Sequence, residues 1–127
     1  MSVLTISSLT KHFGRITAVD DLSMQVEEGN VFGILGPNGS GKTTTLGMIL
    51  GIVFPDAGGF QWFEGRYGAN PRRHIGALLE TPNFYPYLGA LDNLKLVAHI
   101  KKAAAPDYLG LLELVKLRGR EDDLFRT

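Results

Sequence analysis

The segment Gly36-Pro37-Asn38-Gly39-Ser40-Gly41-Lys42-Thr43 constrains this chain more than any other stretch. It fits the pattern G-x-x-x-x-G-K-[ST], and it sits where that pattern has a mechanical meaning. The apolar run Val31-Phe32-Gly33-Ile34-Leu35 precedes it and reads as a short strand buried on both faces of a sheet. Lys42 to Gly51 follows and reads as a helix opening on Thr43-Thr44-Thr45. Small residues let several backbone N–H groups curl around one phosphate, and the helix N-terminus adds its positive dipole end. Lys42 can reach β and γ phosphates as a point charge, and Thr43 offers a hydroxyl to Mg²⁺. The plainer reading is a glycine-rich strand-to-helix turn that happens to hold a lysine. Against it, a chance match in 127 residues is expected at roughly a few per thousand.

The remaining segments supply a scaffold. Val3 to Leu9 alternates apolar and polar residues and reads as a half-buried strand, with Lys11-His12-Phe13-Gly14 as the turn after it. Ile16 to Val26 reads as a second extended stretch, closed by the acidic turn Glu27-Glu28-Gly29-Asn30. Phe54 to Gly59 is turn chemistry, and Phe60 to Phe63 a short strand. Glu64 to Pro71 reads as a polar loop, and Arg73 to Glu80 as a strand centred on Ile75 to Leu79. Thr81 to Gly89 carries two prolines and three aromatic residues and reads as an ordered loop. Ala90 to Lys102 places Leu91, Leu94, Val97 and Ala98 on one helical face. Pro106 suits the first turn of a last helix that buries Leu109, Leu112 and Leu117, and Arg118 to Thr127 is a charged tail.

Composition excludes several classes. Lys and Arg total 13, as do Asp and Glu, so the formal net charge is zero. A broad grip on nucleic acid, which relies on many cations displacing counterions, is therefore not expected. With no cysteine there is no disulfide framework and no thiolate metal site. His12, His74 and His99 have no metal-site spacing. The N-terminus lacks a basic segment followed by an apolar stretch, so it does not read as a secretory signal. The longest apolar run, Leu46 to Phe54, falls far short of the ~20 residues that span a bilayer, so any membrane link is expected through a partner.

The phosphate loop also carries a family resemblance. Gly-Pro-Asn-Gly-Ser-Gly followed by Lys42-Thr43-Thr44 resembles the form found in ATP-binding cassette (ABC) ATPases. Leu9-Thr10-Lys11-His12-Phe13-Gly14, Ala18-Val19-Asp20-Asp21-Leu22-Ser23 and Glu28-Gly29 are similar to the opening of such domains. Ile75 to Leu88 is similar to the ATPases of bacitracin- and lantibiotic-resistance exporters, which use Glu where most of the family has Gln.

The resemblance implies the fold and the site. The fold is α/β: a partial P-loop NTPase core with an antiparallel β subdomain and the start of a helical subdomain. Residues 1–80 would form the β subdomain and loop core, and residues 81–127 the following loop and helical start. Gly36, Asn38, Gly39, Ser40, Gly41, Lys42, Thr43 and Thr44 would hold the phosphates of ATP, and Phe13 would stack on adenine. Thr43 and Glu80 would ligate Mg²⁺, with Lys42 and Glu80 as the catalytic contributions. Alternatives stand beside these: Phe13 as a core aromatic closing a hairpin, Glu80 as an ordinary strand-end carboxylate. Tyr85 and Tyr87 fall where the family meets its membrane subunit, or pack within their own loop. Trp62 is expected to pack in the β subdomain.

Implied partners are a transmembrane permease subunit and a second ATPase subunit sandwiching ATP, with no nucleic acid. The implied location is cytoplasmic, on the inner face of the cell membrane through the permease. The family's signature, its Asp-bearing strand with the catalytic Glu and its switch His have no counterpart in this sequence. The chain is thus expected to be the N-terminal part of one nucleotide-binding domain, not competent for turnover alone. Its whole protein would be an ATPase driving export of a peptide antibiotic or drug. Export of sodium or another drug, or nucleotide binding without turnover, are the alternatives.

Overall fold

The computed structural model describes residues 1–125. Two compact units divide the chain, Met1–Leu79 and the segment from Glu80 onward. In the first unit, β1 (Ser2–Phe13) pairs antiparallel with both β2 (Ile16–Glu27) and β3 (Ala57–Trp62), in the order β2-β1-β3. Leu4 faces Val26 on one side and Trp62 on the other, and Ile6 faces Met24 and Phe60. Alternation puts Leu4 and Ile6 on the core face. Continued unbroken it would turn Leu9 outward, but Leu9 is fully buried. The phase changes at a bulge, where Ser8 takes a positive φ of 48° and donates its N–H to the Ser23 hydroxyl at 2.8 Å. The sheet packs on α1 (Lys42–Ile49), whose Met48 and Ile49 complete a core with Leu4, Ile6, Leu9 and Val19.

Trp62 joins this core as expected, and its indole N–H donates to the carbonyl of Ile49 at 2.8 Å. Beyond α1, Gly51 turns the chain with a φ of 74° and the Arg72 guanidinium donates to the Leu50 carbonyl at 3.1 Å. A cation there satisfies a carbonyl that the helix leaves orphaned and opposes the negative end of its dipole.

Ala57 to Gly59, expected as turn, belongs to β3, and three further expectations are corrected. Lys11 to Phe13 is strand rather than turn, and the hairpin reverses over Gly14 and Arg15. Val31 to Leu35 forms no strand, and Val31 and Leu35 are almost wholly exposed. Arg73 to Glu80 forms none either: Pro71–His74 is a 3₁₀ turn, and Leu78 is exposed. A strand needs neighbours for its N–H and C=O groups, and among the described residues neither segment has a ladder partner. Sheet and helices together still fit the expected α/β class, with the described sheet wholly antiparallel.

The second unit holds α2 (Ala90–Lys101) and α3 (Tyr108–Leu114). Leu112 is its buried centre, while Leu109 and Val97, expected inside, are exposed. Pro106 stands just before the N-cap rather than in the first turn, because Asp107 caps α3 by accepting the Gly110 N–H at 2.9 Å. The tail expected from Arg118 turns back: Leu91 N–H donates to the Glu121 carbonyl at 3.0 Å, and Gly89 bridges Leu124. Its last two residues lie outside the described ones.

Helix α2 ends on Lys102 in the left-handed region, with φ 52° and ψ 46°. The Ala103 N–H then closes on the Ala98 carbonyl at 2.9 Å. A side chain in that region costs roughly 1–2 kcal/mol. Lys102→Gly is therefore expected to stabilise this unit by about 0.5–1 kcal/mol, read as a higher urea midpoint. An unchanged or lower midpoint would show that the cap carries no strain.

Candidate functional site

Gly36 to Thr44 forms a continuous loop running into the first turn of α1. Gly39 and Gly41 take positive φ of 82° and 91°, which lets the chain turn twice within four residues. The Ser40 N–H donates to the Pro37 carbonyl at 3.2 Å and closes the first turn. Gly41 lies hard against β2: a Cβ there would stand 2.2 Å from the Ala18 carbonyl oxygen. Lys42 reaches back over the loop, donating to the carbonyls of Gly36 and Pro37 at 2.5 and 2.7 Å. Its ammonium is thus held over the loop it follows.

No side chain caps the N-terminus of α1. The first-turn N–H groups of a helix lack intrahelical acceptors, and they suit an anion. Thr43 is exposed, Thr44 is half-buried, and Thr45 turns inward to donate its hydroxyl to the Gly41 carbonyl at 2.9 Å. Two turns at positive-φ glycines, a cation folded over the loop and a helix start with no side-chain cap fit a polyphosphate. The Thr43 hydroxyl fits a hard cation beside it.

Phe13 ends β1 opposite Ile16 and is 50% exposed, so the core does not absorb its ring. Lys11, two residues earlier on the strand, holds its ammonium 5.4 Å from the centre of that ring. Asp56 clamps this end of β1. It accepts the His12 N–H at 2.6 Å and the Lys11 ammonium at 3.0 Å, while its own N–H donates to the Thr10 carbonyl at 2.9 Å. The His12 N–H first, then the Lys11 ammonium, hold the Asp56 carboxyl below the usual carboxylate range.

The loop residues from Gly36 to Thr44 come together as the spacing implies, and Phe13 stands at the hairpin end of the same unit. Glu80 opens the second unit, exposed and in the left-handed region with a φ of 50°. Asn93 is a residue that sequence reasoning missed. It is 5% exposed, accepts the Tyr85 N–H at 2.8 Å, and donates to the carbonyls of Tyr85, Leu88 and Gly89 at 3.1–3.2 Å. A polar residue among the apolar positions of a helix's first turn was the available signal. Tyr85 and Tyr87 meet edge to face at 5.6 Å, and Tyr87 is mostly exposed.

A glycine loop that opens a helix, with a lysine folded over it, matches the loop-to-helix half of the P-loop pattern; the strand that enters such a loop is not formed among the described residues. Comparison with known proteins narrows the class. The model of the ABC transporter family matches residues 19–125. An uncharacterized ABC transporter ATP-binding protein of Bacillus subtilis is 37% identical over 99% of this chain and 43% of its own length. The bacitracin transport ATP-binding protein of Bacillus licheniformis is 37% identical over 89% of this chain and 39% of its own. The lantibiotic transport ATP-binding protein of Streptococcus pyogenes is 34% identical, over 91% and 50%. The solved ATP-binding subunit of an ABC transporter superposes with a TM-score of 0.84 at 26% identity, covering 96% of this chain and 54% of that one. The chain belongs to the ABC transporter family, and that family implies nucleotide binding. It spans half or less of the length of these relatives. Among the described residues no helix is long and apolar enough to cross a membrane.

Proposed function

We propose that this chain is the nucleotide-binding part of an ABC transporter ATP-binding subunit, and that the whole protein hydrolyses ATP to drive export of a peptide antibiotic or drug. The observation that carries the reading is Lys42, folded over a loop whose Gly41 admits no side chain. The names of the bacitracin and lantibiotic transport relatives support the substrate class. In this reading the N–H groups of Gly36 to Thr44 wrap the phosphates and Lys42 swings from loop carbonyls to phosphate oxygens. Phe13 takes the adenine. Bound Mg²⁺ would neutralise charge developing on the phosphates, and the family pattern assigns Thr43 and Glu80 to it. The whole protein would act with a transmembrane permease and a second ATPase subunit, on the inner face of the membrane.

Mg-ATP binding and turnover by this chain, with Lys42→Ala beside it, test the proposal. Lys42→Ala is expected to weaken ATP binding by about tenfold or more, the worth of one charge-assisted contact. Binding without turnover is expected of this chain alone, since holding phosphates meets only part of what phosphoryl transfer requires. Turnover lost in the variant would show that the chain is competent by itself. ATP affinity equal in both proteins would overturn the site.

A further inference from the structure

We infer that Lys11 and Asp56 form a positioning pair that presets the Phe13 ring for the nucleotide base, an inference that rests on the nucleotide-binding reading above. Residues two apart on a strand share a face, and β1 runs through both Lys11 and Phe13. Asp56 fixes the end of that strand by bonds to three consecutive residues: its N–H to Thr10, its carboxylate to the Lys11 ammonium and the His12 N–H. The Lys11 side chain is 15% exposed although its charge lies near the surface, so its stem is packed and its head is held. The ammonium stands 5.4 Å from the Phe13 centroid, inside the ~6 Å range of a cation on an aromatic face. Half of Phe13 remains open. The ring is therefore clasped by a cation while offering surface to a second planar group.

This arrangement has a consequence for affinity. A phenylalanine at a hairpin end that moves freely must lose that freedom when a base stacks on it, and the loss is subtracted from binding. A ring already held by Lys11 has lost it in advance. Asp56 acts one step further back, because without its carboxylate the lysine is free to leave the ring for water. Among the described residues no hydrogen bond or ion pair joins Lys11 or Asp56 to the phosphate loop, so their effect is expected on the base half of the ligand. Lys42 and the glycines govern the other half.

The test compares ATP with inorganic tripolyphosphate, which has no base, by calorimetry on the full chain and its variants. Lys11→Met is expected to weaken ATP binding by about three- to tenfold while leaving tripolyphosphate affinity unchanged. Lys11→Arg, which keeps a cation on the ring, is expected to restore most of it. Asp56→Asn should weaken ATP in the same direction, and the double variant Lys11→Met/Asp56→Asn should bind no more weakly than Lys11→Met. Equal losses for ATP and tripolyphosphate would reveal a merely structural role and overturn the inference. So would ATP binding that is unchanged or tighter in Lys11→Met, the tighter case meaning that lysine occupies the face the base needs. If the unaltered chain binds tripolyphosphate but not ATP, the base site is overturned while the phosphate loop stands; binding of neither removes both readings. A nucleotide-free readout checks the clasp itself: the ring should shift the Lys11 ε-methylene protons upfield, and unshifted protons would refute it.

Discussion

Gly41→Ala is expected to abolish ATP binding while the β1–β2 hairpin remains folded. Two penalties coincide at this residue. A φ of 91° costs an L-residue roughly 1–2 kcal/mol, and the added methyl would overlap the Ala18 carbonyl oxygen at 2.2 Å. The Ala18 carbonyl is part of β2 and cannot swing aside as a side chain can, so the loop itself must move. Two neighbouring glycines separate the penalties. Gly39 has a positive φ of 82° with nothing near its would-be Cβ, so Gly39→Ala should lose only the conformational part. Gly33 has neither burden, and Gly33→Ala should stay within about 0.5 kcal/mol of the parent. Calorimetric ATP affinities and thermal melts of the three variants decide the matter. Near-parental affinity in Gly41→Ala would mean that the loop's fit against β2 has no part in the site.

This loop was legible in the sequence because the demand falls on single residues. Positive φ favours glycine at positions 39 and 41, lysine at 42 folds back on its own loop, and no distant partner has to be known. The hairpin was legible for a similar reason, since alternation from Val3 onward reports a sheet with one buried face. The bulge at Ser8 escaped because a phase shift leaves only a broken pattern, which reads equally well as a strand's end.

What failed was knowledge of pairs. Val31 to Leu35 has the side chains of a buried strand, yet burial and a ladder belong to the neighbours as much as to the run. Ile75 to Leu79 failed for the same reason. The Lys11–Asp56 contact joins residues 45 apart, and reading Lys11 to Gly14 as a turn hid the face that lysine shares with Phe13. The role proposed for Phe13 itself rests on resemblance. The structure adds that its ring is half open and beside a cation, which the alternative of a core aromatic does not accommodate.

Asn93 gives the second large effect, because its amide does the work of several backbone partners at once. Its oxygen takes the Tyr85 N–H at 2.8 Å, and its NH₂ is shared among the carbonyls of Tyr85, Leu88 and Gly89. It thus ties the loop carrying Tyr85 and Tyr87 to the first turn of α2. Asn93→Ala removes all of these bonds and leaves the Tyr85 N–H and the Leu88 carbonyl short of partners in a part-buried setting, while the Tyr85 and Gly89 carbonyls keep the backbone N–H groups of Leu88 and Asn93. The expected loss is about 2–4 kcal/mol, read from urea unfolding of the second unit, with the hydrogen-exchange protection of the Tyr85 N–H lost as well. Asn93→Asp separates bonding from shape. The carboxylate keeps an acceptor for Tyr85 but turns its second oxygen toward three carbonyl oxygens, where acceptor faces acceptor. At neutral pH the aspartate variant should therefore be less stable than the alanine one, despite its closer shape. Protonation restores a donor and the folded state favours it, so the carboxyl's folded pKa lies above its unfolded value. Stability of Asn93→Asp should accordingly rise as pH falls through that raised pKa, opposite in sign to a carboxylate stabilised by an ion pair. Alanine and aspartate variants as stable as the parent, with Tyr85 still protected, would mean that the loop is held by contacts other than this amide.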